Sequence, residues 1–200
     1  LEALDPAERA RSVILVPDSF TYLFETEQMV PLIELATRLG YRVWMAPLKP
    51  NGKPLHVQGF LKTFNRVARR NSEHLSGLAR TGIALVGLDP AMTLVYRQEY
   101  LKVPGLTQVP EVLLPQEWLA RVWPRAGKTE TAPQTVTYRL LPHCTERTNA
   151  PASVGQWQEV FAKAGLSLQV EASGCCGMSG TYGHEARNYE TSRVIFEQSW

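Results

Sequence analysis

SVILVP (residues 12–17) is an uncharged run of strand length that ends at a proline, and the elements around it are read outward from it. An apolar run this short, without polar alternation, predicts a strand buried on both faces. Downstream, EQMVPLIELATRLG (27–40) has helical spacing, with Pro31 near its start and Gly40 as its C-cap. YRVWMA (41–46) is the next strand, GFLKTFNRVARRNSEHLSGLARTG (59–82) a long helix, and IALVGL (83–88) the strand after it. EVLLP (111–115) and QEWLARVW (116–123) close this half, and the polar, turn-rich PRAGKTETAPQ (124–134) marks a boundary. The pattern then resumes with TVTYRLLP (135–142) as a strand, VGQWQEVFAKAG (154–165) as a helix and LSLQVEA (166–172) as a strand. HEARNYETSRVIFEQSW (184–200) reads as a final helix. Strands alternating with helices in this way predict an α/β fold.

The second half repeats the first at one offset. Pro17 and Pro142, Gly40 and Gly165, and Gly52 and Gly177 each stand 125 positions apart, with strand, loop, helix and strand in the same order between them. The expected architecture is therefore two duplicated βα-type lobes, each a small, mainly parallel sheet with flanking helices. Residues 1–12 (LEALDPAERARS) read as a linker helix from something longer. Residues 13–124 form the first lobe, which lacks cysteines. Residues 135–200 form the second, truncated at its C-terminal end.

The offset gives the cysteines a meaning. LPHCT (141–145) faces VPDSF (16–20), so Cys144 has Ser19 as its counterpart. GCCGM (174–178) faces KPNGK (49–53), which sets Cys175 and Cys176 against Pro50 and Asn51. All three cysteines of the chain fall where a strand passes into a loop, the place where open α/β sheets hold ligands. Free cysteine is often a small buried hydrophobe. Adjacency, flanking glycines and placement at strand ends argue instead for soft anionic ligands of an iron–sulfur cluster or of zinc. Closed cages of either kind need four ligands, and His143 and His184 are candidates for a supporting position. The glycines of the loop, Gly177 and Gly180 among them, allow close backbone approach and aim amides at sulfur.

The remaining features exclude other classes of function. A formal net charge of +2, with 44% hydrophobic and 20% charged residues, is ordinary for a soluble globular protein and does not point to nucleic acid. No apolar stretch approaches the roughly 20 residues of a membrane span. Three cysteines, two of them adjacent, make no disulfide framework, which favours a reducing compartment. No glycine fingerprint for a dinucleotide appears.

LPHCTE (141–146) followed by SGCCGMSGTYGHE (173–185) resembles the cysteine-rich CCG domain of heterodisulfide reductase and of the iron–sulfur components of glycolate and lactate oxidation systems. GCCGMSGTYGHE is most similar to the C-terminal region of bacterial FAD-linked iron–sulfur D-2-hydroxyacid dehydrogenases of the D-2-hydroxyglutarate type. LDPAMTLVYRQEY (88–100) also resembles a DPSC…EY segment of that family, with Met92 in place of cysteine. The resemblance implies that Cys144, Cys175 and Cys176 ligate a 4Fe-4S-type cluster or a zinc. It implies electron transfer with flavin (FAD) and ferredoxin-like domains of the same parent protein, and an acceptor that these residues do not identify. The expected location is the cytoplasm, with association to a membrane through that acceptor as the alternative. The first lobe, with Ser19, Pro50, Asn51 and Met92 at the ligand positions, is expected to bind no metal. The second is expected to be closed by a cysteine motif past Trp200, so that this chain alone retains no cofactor and no activity. A zinc-binding structural module and a docking domain that has lost its site are the competing readings.

Overall fold

The computed structural model describes residues 1, 3–123, 136–180 and 182–200, so the expected boundary at 124–134 lies outside the described residues. Residues 1–118 and 119–200 form two compact units. In the first, Asp5 caps α1 (Pro6–Ala10): its carboxylate accepts from Glu8 N at 2.8 Å, and Glu8 accepts in return from Asp5 N at 3.0 Å. The helix is short because β1 (Ser12–Leu15) begins only two residues later. Every residue of β1 is buried, as its unbroken apolar run requires.

Four more elements, α2 (Ser19–Leu23), α3 (Met29–Arg38), β2 (Arg42–Met45) and α4 (Lys53–Val57), lead into the long helix α5 (Leu61–Ala79). β3 (Ala84–Val86), α6 (Pro90–Arg97), β4 (Val112–Leu113) and α7 (Pro115–Val122) follow. The sheet is parallel in the order β2-β1-β3-β4. Phe64, Ala68 and Leu75 of α5 pack with Ile14, Leu85 and Val112 of the sheet. Phe64 and Tyr96 each stand edge-on to Tyr100, at 5.8 and 5.2 Å between ring centres.

The second unit holds β5 (Thr137–Leu140), α8 (Cys144–Asn149), α9 (Pro151–Lys163), β6 (Ser167–Val170) and α10 (Tyr189–Glu197). The duplication is present residue by residue. β1 and β2 map onto β5 and β6 at both ends, and their parallel registers coincide: Ser12 opposes Arg42 as Thr137 opposes Ser167. Gly40 and Gly165 both sit at positive φ, +82° and +73°, and cap their helices through equivalent bonds, Gly40 N to Thr37 O and Gly165 N to Ala162 O. The fold is thus α/β with two duplicated lobes.

The lobes differ in how their sheets are covered. β1 lies between β2 and β3, whereas among the described residues β5 pairs with β6 alone. Thr137, Tyr138 and Arg139 are accordingly exposed, and Tyr138 packs its ring against Phe161 of α9. The expected helix over 184–200 is shorter, because residues 182–184 and 186–188 form separate 3₁₀ turns before α10. The Asn188 side chain donates to Tyr182 O at 3.1 Å and holds the two turns together.

Candidate functional site

β5 and β6 run parallel with Leu140 opposite Val170, so the loops leaving them emerge at the same end of the sheet. After β5 comes the buried Pro142, and then His143, which caps α8: its Nδ1 accepts from Thr145 N at 3.1 Å. Asp18 holds the same position in the first lobe, accepting from Phe20 N and Thr21 N at 2.8 and 3.0 Å. Capping fixes Cys144 as the first residue of α8, facing the loop after β6. That loop carries Cys175, exposed, and Cys176, half-buried.

Burial pushes the Cys144 thiol above its ordinary pKa, and the nearby charges of Cys175 and Cys176 raise it further. The parallel strands thus place the three cysteines in loops that leave the sheet at the same end. Among the described residues, no three His, Cys, Asp or Glu side chains converge closely enough to hold a metal ion. Thiol sulfurs suit an iron–sulfur cluster or zinc in kind, and here they fall short in number and convergence. His143 has committed Nδ1 to its cap, and His184 stands exposed at the end of the first 3₁₀ turn.

The loop backbone is tightly specified. Gly177 has φ +78°, and a Cβ there would collide with the carbonyl oxygen of Ser192 on α10. Its N–H donates to Cys175 Sγ at 3.4 Å, a direct amide-to-sulfur contact. The buried Ser192 hydroxyl donates to Gly177 O at 3.1 Å. Gly180 is also left-handed, at φ +65°, and Ser179 adopts φ +39° between them, an uncommon conformation for a residue with a side chain.

The corresponding corner of the first lobe is built from different chemistry. Asn51, in the place of Cys176, is buried and donates through Nδ2 to Met92 O at 2.8 Å, while its Oδ1 accepts from Lys53 N at 3.0 Å. The Tyr100 hydroxyl donates to Asn51 O at 2.8 Å, and Asn71 Nδ2 donates to Pro50 O at 2.9 Å. Burial drives the hydroxyls of Tyr96 and Tyr100 far above the usual phenol range, so both stay protonated. Side-chain-to-backbone hydrogen bonds occupy the corner equivalent to the one that carries thiols in the second lobe. Tyr100 closes the LDPAMTLVYRQEY segment singled out above, whereas for Asn71 the one available signal is a polar residue in line with Phe64, Ala68 and Leu75 on the apolar face of α5.

A cleft of about 320 Å³ opens beside Cys144, lined also by Arg147, Thr148, Ser173 and Gly174. Arg147 and Ser173 are equally inconspicuous in the sequence.

The whole chain is similar to a segment of several dehydrogenases. It is 62% identical over 201 residues to D-2-hydroxyglutarate dehydrogenase of Pseudomonas putida and 38% identical over 201 residues to that of Escherichia coli, covering all of this chain in both cases. It spans about a fifth (20%) of the length of each. A component of the anaerobic glycerol-3-phosphate dehydrogenase of Escherichia coli is 29% identical over 172 residues, covering 82% of this chain and 42% of that protein. No protein-family model matches the chain, and no solved structure matches it.

Proposed function

Because the chain is similar throughout to part of the D-2-hydroxyglutarate dehydrogenases, we propose that it is the thiolate-bearing domain of an oxidoreductase acting on a D-2-hydroxyacid. In this reading Cys144, Cys175 and Cys176 supply three ligands of an iron–sulfur cluster, and a further ligand outside the described residues completes the set. The observation that supports it best is that the loops carrying Cys144 and the Cys175–Cys176 pair leave parallel strands at the same end of one sheet, in the lobe that alone carries cysteines. Such a cluster, when bound, passes single electrons between a flavin and an acceptor. The chain's own residues have the simpler tasks of holding and orienting sulfur. His143 fixes the start of α8 and so the direction of Cys144. Gly177 permits the loop to turn against α10 and directs its amide at Cys175.

FAD and ferredoxin-like domains of the same protein are the partners this reading requires. Among the described residues no helix is long and apolar enough to cross a membrane. The test is anaerobic reconstitution with iron and sulfide, with zinc in a parallel arm, followed by metal and sulfide analysis. Sub-stoichiometric iron and sulfide that disappear in Cys144→Ser are expected for these 200 residues. Zinc bound with no iron would favour a structural module, and iron retained in a triple Cys→Ser variant would refute the assignment.

A further inference from the structure

We propose that the cleft beside Cys144 is a binding subsite for a small aliphatic carboxylate, with Arg147 as its charge partner. This goes beyond the metal reading and stands without it, since none of the groups it uses is a thiol.

Three observations carry it. Ser173 lines the cleft, is only 7% exposed, and its hydroxyl has no hydrogen-bond partner among the described residues. A buried polar group left unpaired is costly, and native structures keep such groups mainly where something else satisfies them. The second observation is Arg147. Arg147 is exposed, lines the cleft and pairs with no carboxylate among the described residues. The two nearby acids are already engaged: Glu171 takes Arg139 at 2.7 Å, and the buried Glu146 accepts from Ser153 at 2.7 Å. Arg147 also borders a second cleft of about 390 Å³, whose wall includes Pro142, Pro151, Val154 and Val170 together with Glu171, whose carboxylate Arg139 already holds. A planar fork of donors with an apolar wall on one side suits a carboxylate head with a short hydrocarbon body better than it suits a bare phosphate.

The third observation is internal. At the equivalent positions the first lobe has Tyr22, Leu23, Leu48 and Lys49 where the second has Arg147, Thr148, Ser173 and Gly174. Two copies of one unit have diverged so that the guanidinium and both aliphatic hydroxyls stand only in the lobe with the thiols. Gly174 itself admits no side chain, because a Cβ there would collide with Ser199.

The test is titration of the 200-residue chain with butanoate, and separately with inorganic phosphate. The readouts are NMR signals of the Arg147 Nε–H and of the Ser173 and Gly174 amides. Saturable shifts with butanoate are expected, weakened about tenfold in Arg147→Gln and partly restored in Arg147→Lys. Ser173→Ala should keep its unfolding midpoint or raise it while binding butanoate more weakly. The same titration of Cys175→Ser should give unchanged affinity, which separates this inference from the metal assignment. Shifts that never saturate, that survive Arg147→Gln, or that appear with phosphate and not butanoate would overturn it.

Discussion

At Gly177 the left-handed backbone and the collision awaiting any Cβ act together. Gly177→Ala is expected to cost about 2 kcal/mol or more, a left-handed non-glycine residue costing about 1–3 kcal/mol before any clash is relieved. Gly155 makes the control. It lies inside α9 with open space around it, so Gly155→Ala should stabilise the chain by about 0.5–1 kcal/mol. Urea unfolding of the two variants against the parent chain checks both signs. Cys144 offers a second measurement. Its pKa is raised in the folded state, so its contribution to stability is complete below the unfolded thiol value of about 8.5 and is lost as pH rises through the folded value. Stability should therefore fall more steeply above about pH 8.5 in the metal-free parent than in Cys144→Ser. Iodoacetamide should label Cys144 with a midpoint pH above that of an unperturbed thiol, and Cys175→Ser should lower that midpoint by removing one neighbouring charge.

Between elements, the first lobe's corner depends on Asn51 linking the start of α4 to α6 through Met92 O. Asn51→Ala leaves buried backbone groups unpaired and should cost about 1–3 kcal/mol, read by thermal unfolding. Most elements are legible in the sequence because each carries a complete local signal, as β1 does in its unbroken apolar run and α3 in its glycine cap. The short helices α2 and α8 are not, since five or six residues hold no full period of apolar positions and their caps, Asp18 and His143, declare themselves only through backbone contacts. The thiol corner is legible for a different reason: the offset of 125 residues lines it up with a second copy. Asn71, Arg147 and Ser173 give no such notice, because each matters through a partner or a cleft far away in sequence.

Taken over the whole molecule, one βα unit is stabilised to two different degrees. In the first unit β1 is flanked on both sides and its residues are fully buried; in the second its counterpart β5 has one neighbour among the described residues and is mostly exposed. A two-stranded sheet is marginal by itself and depends on a packed helix, here α9. Amide hydrogen exchange should accordingly be slower at Val13–Leu15 than at Tyr138–Leu140, by about two orders of magnitude if the local opening energies differ by about 3 kcal/mol. Equal protection at the two strands would show that the second neighbour is of no consequence.

That single-sided pairing of β5 also bears on how molecules of this chain behave in a crowd. A strand edge that pairs with no further strand among the described residues is a template for the edge of another molecule, and Val136 and Tyr138 beside it are 57% and 42% exposed. Self-association should grow with concentration, be visible by light scattering, and recede when Tyr138 is replaced by lysine, whose charge makes the meeting of two such edges repulsive. The solubility of the molecule is then governed by one strand, and its handling in the test tube by how well that strand is kept from finding its own kind.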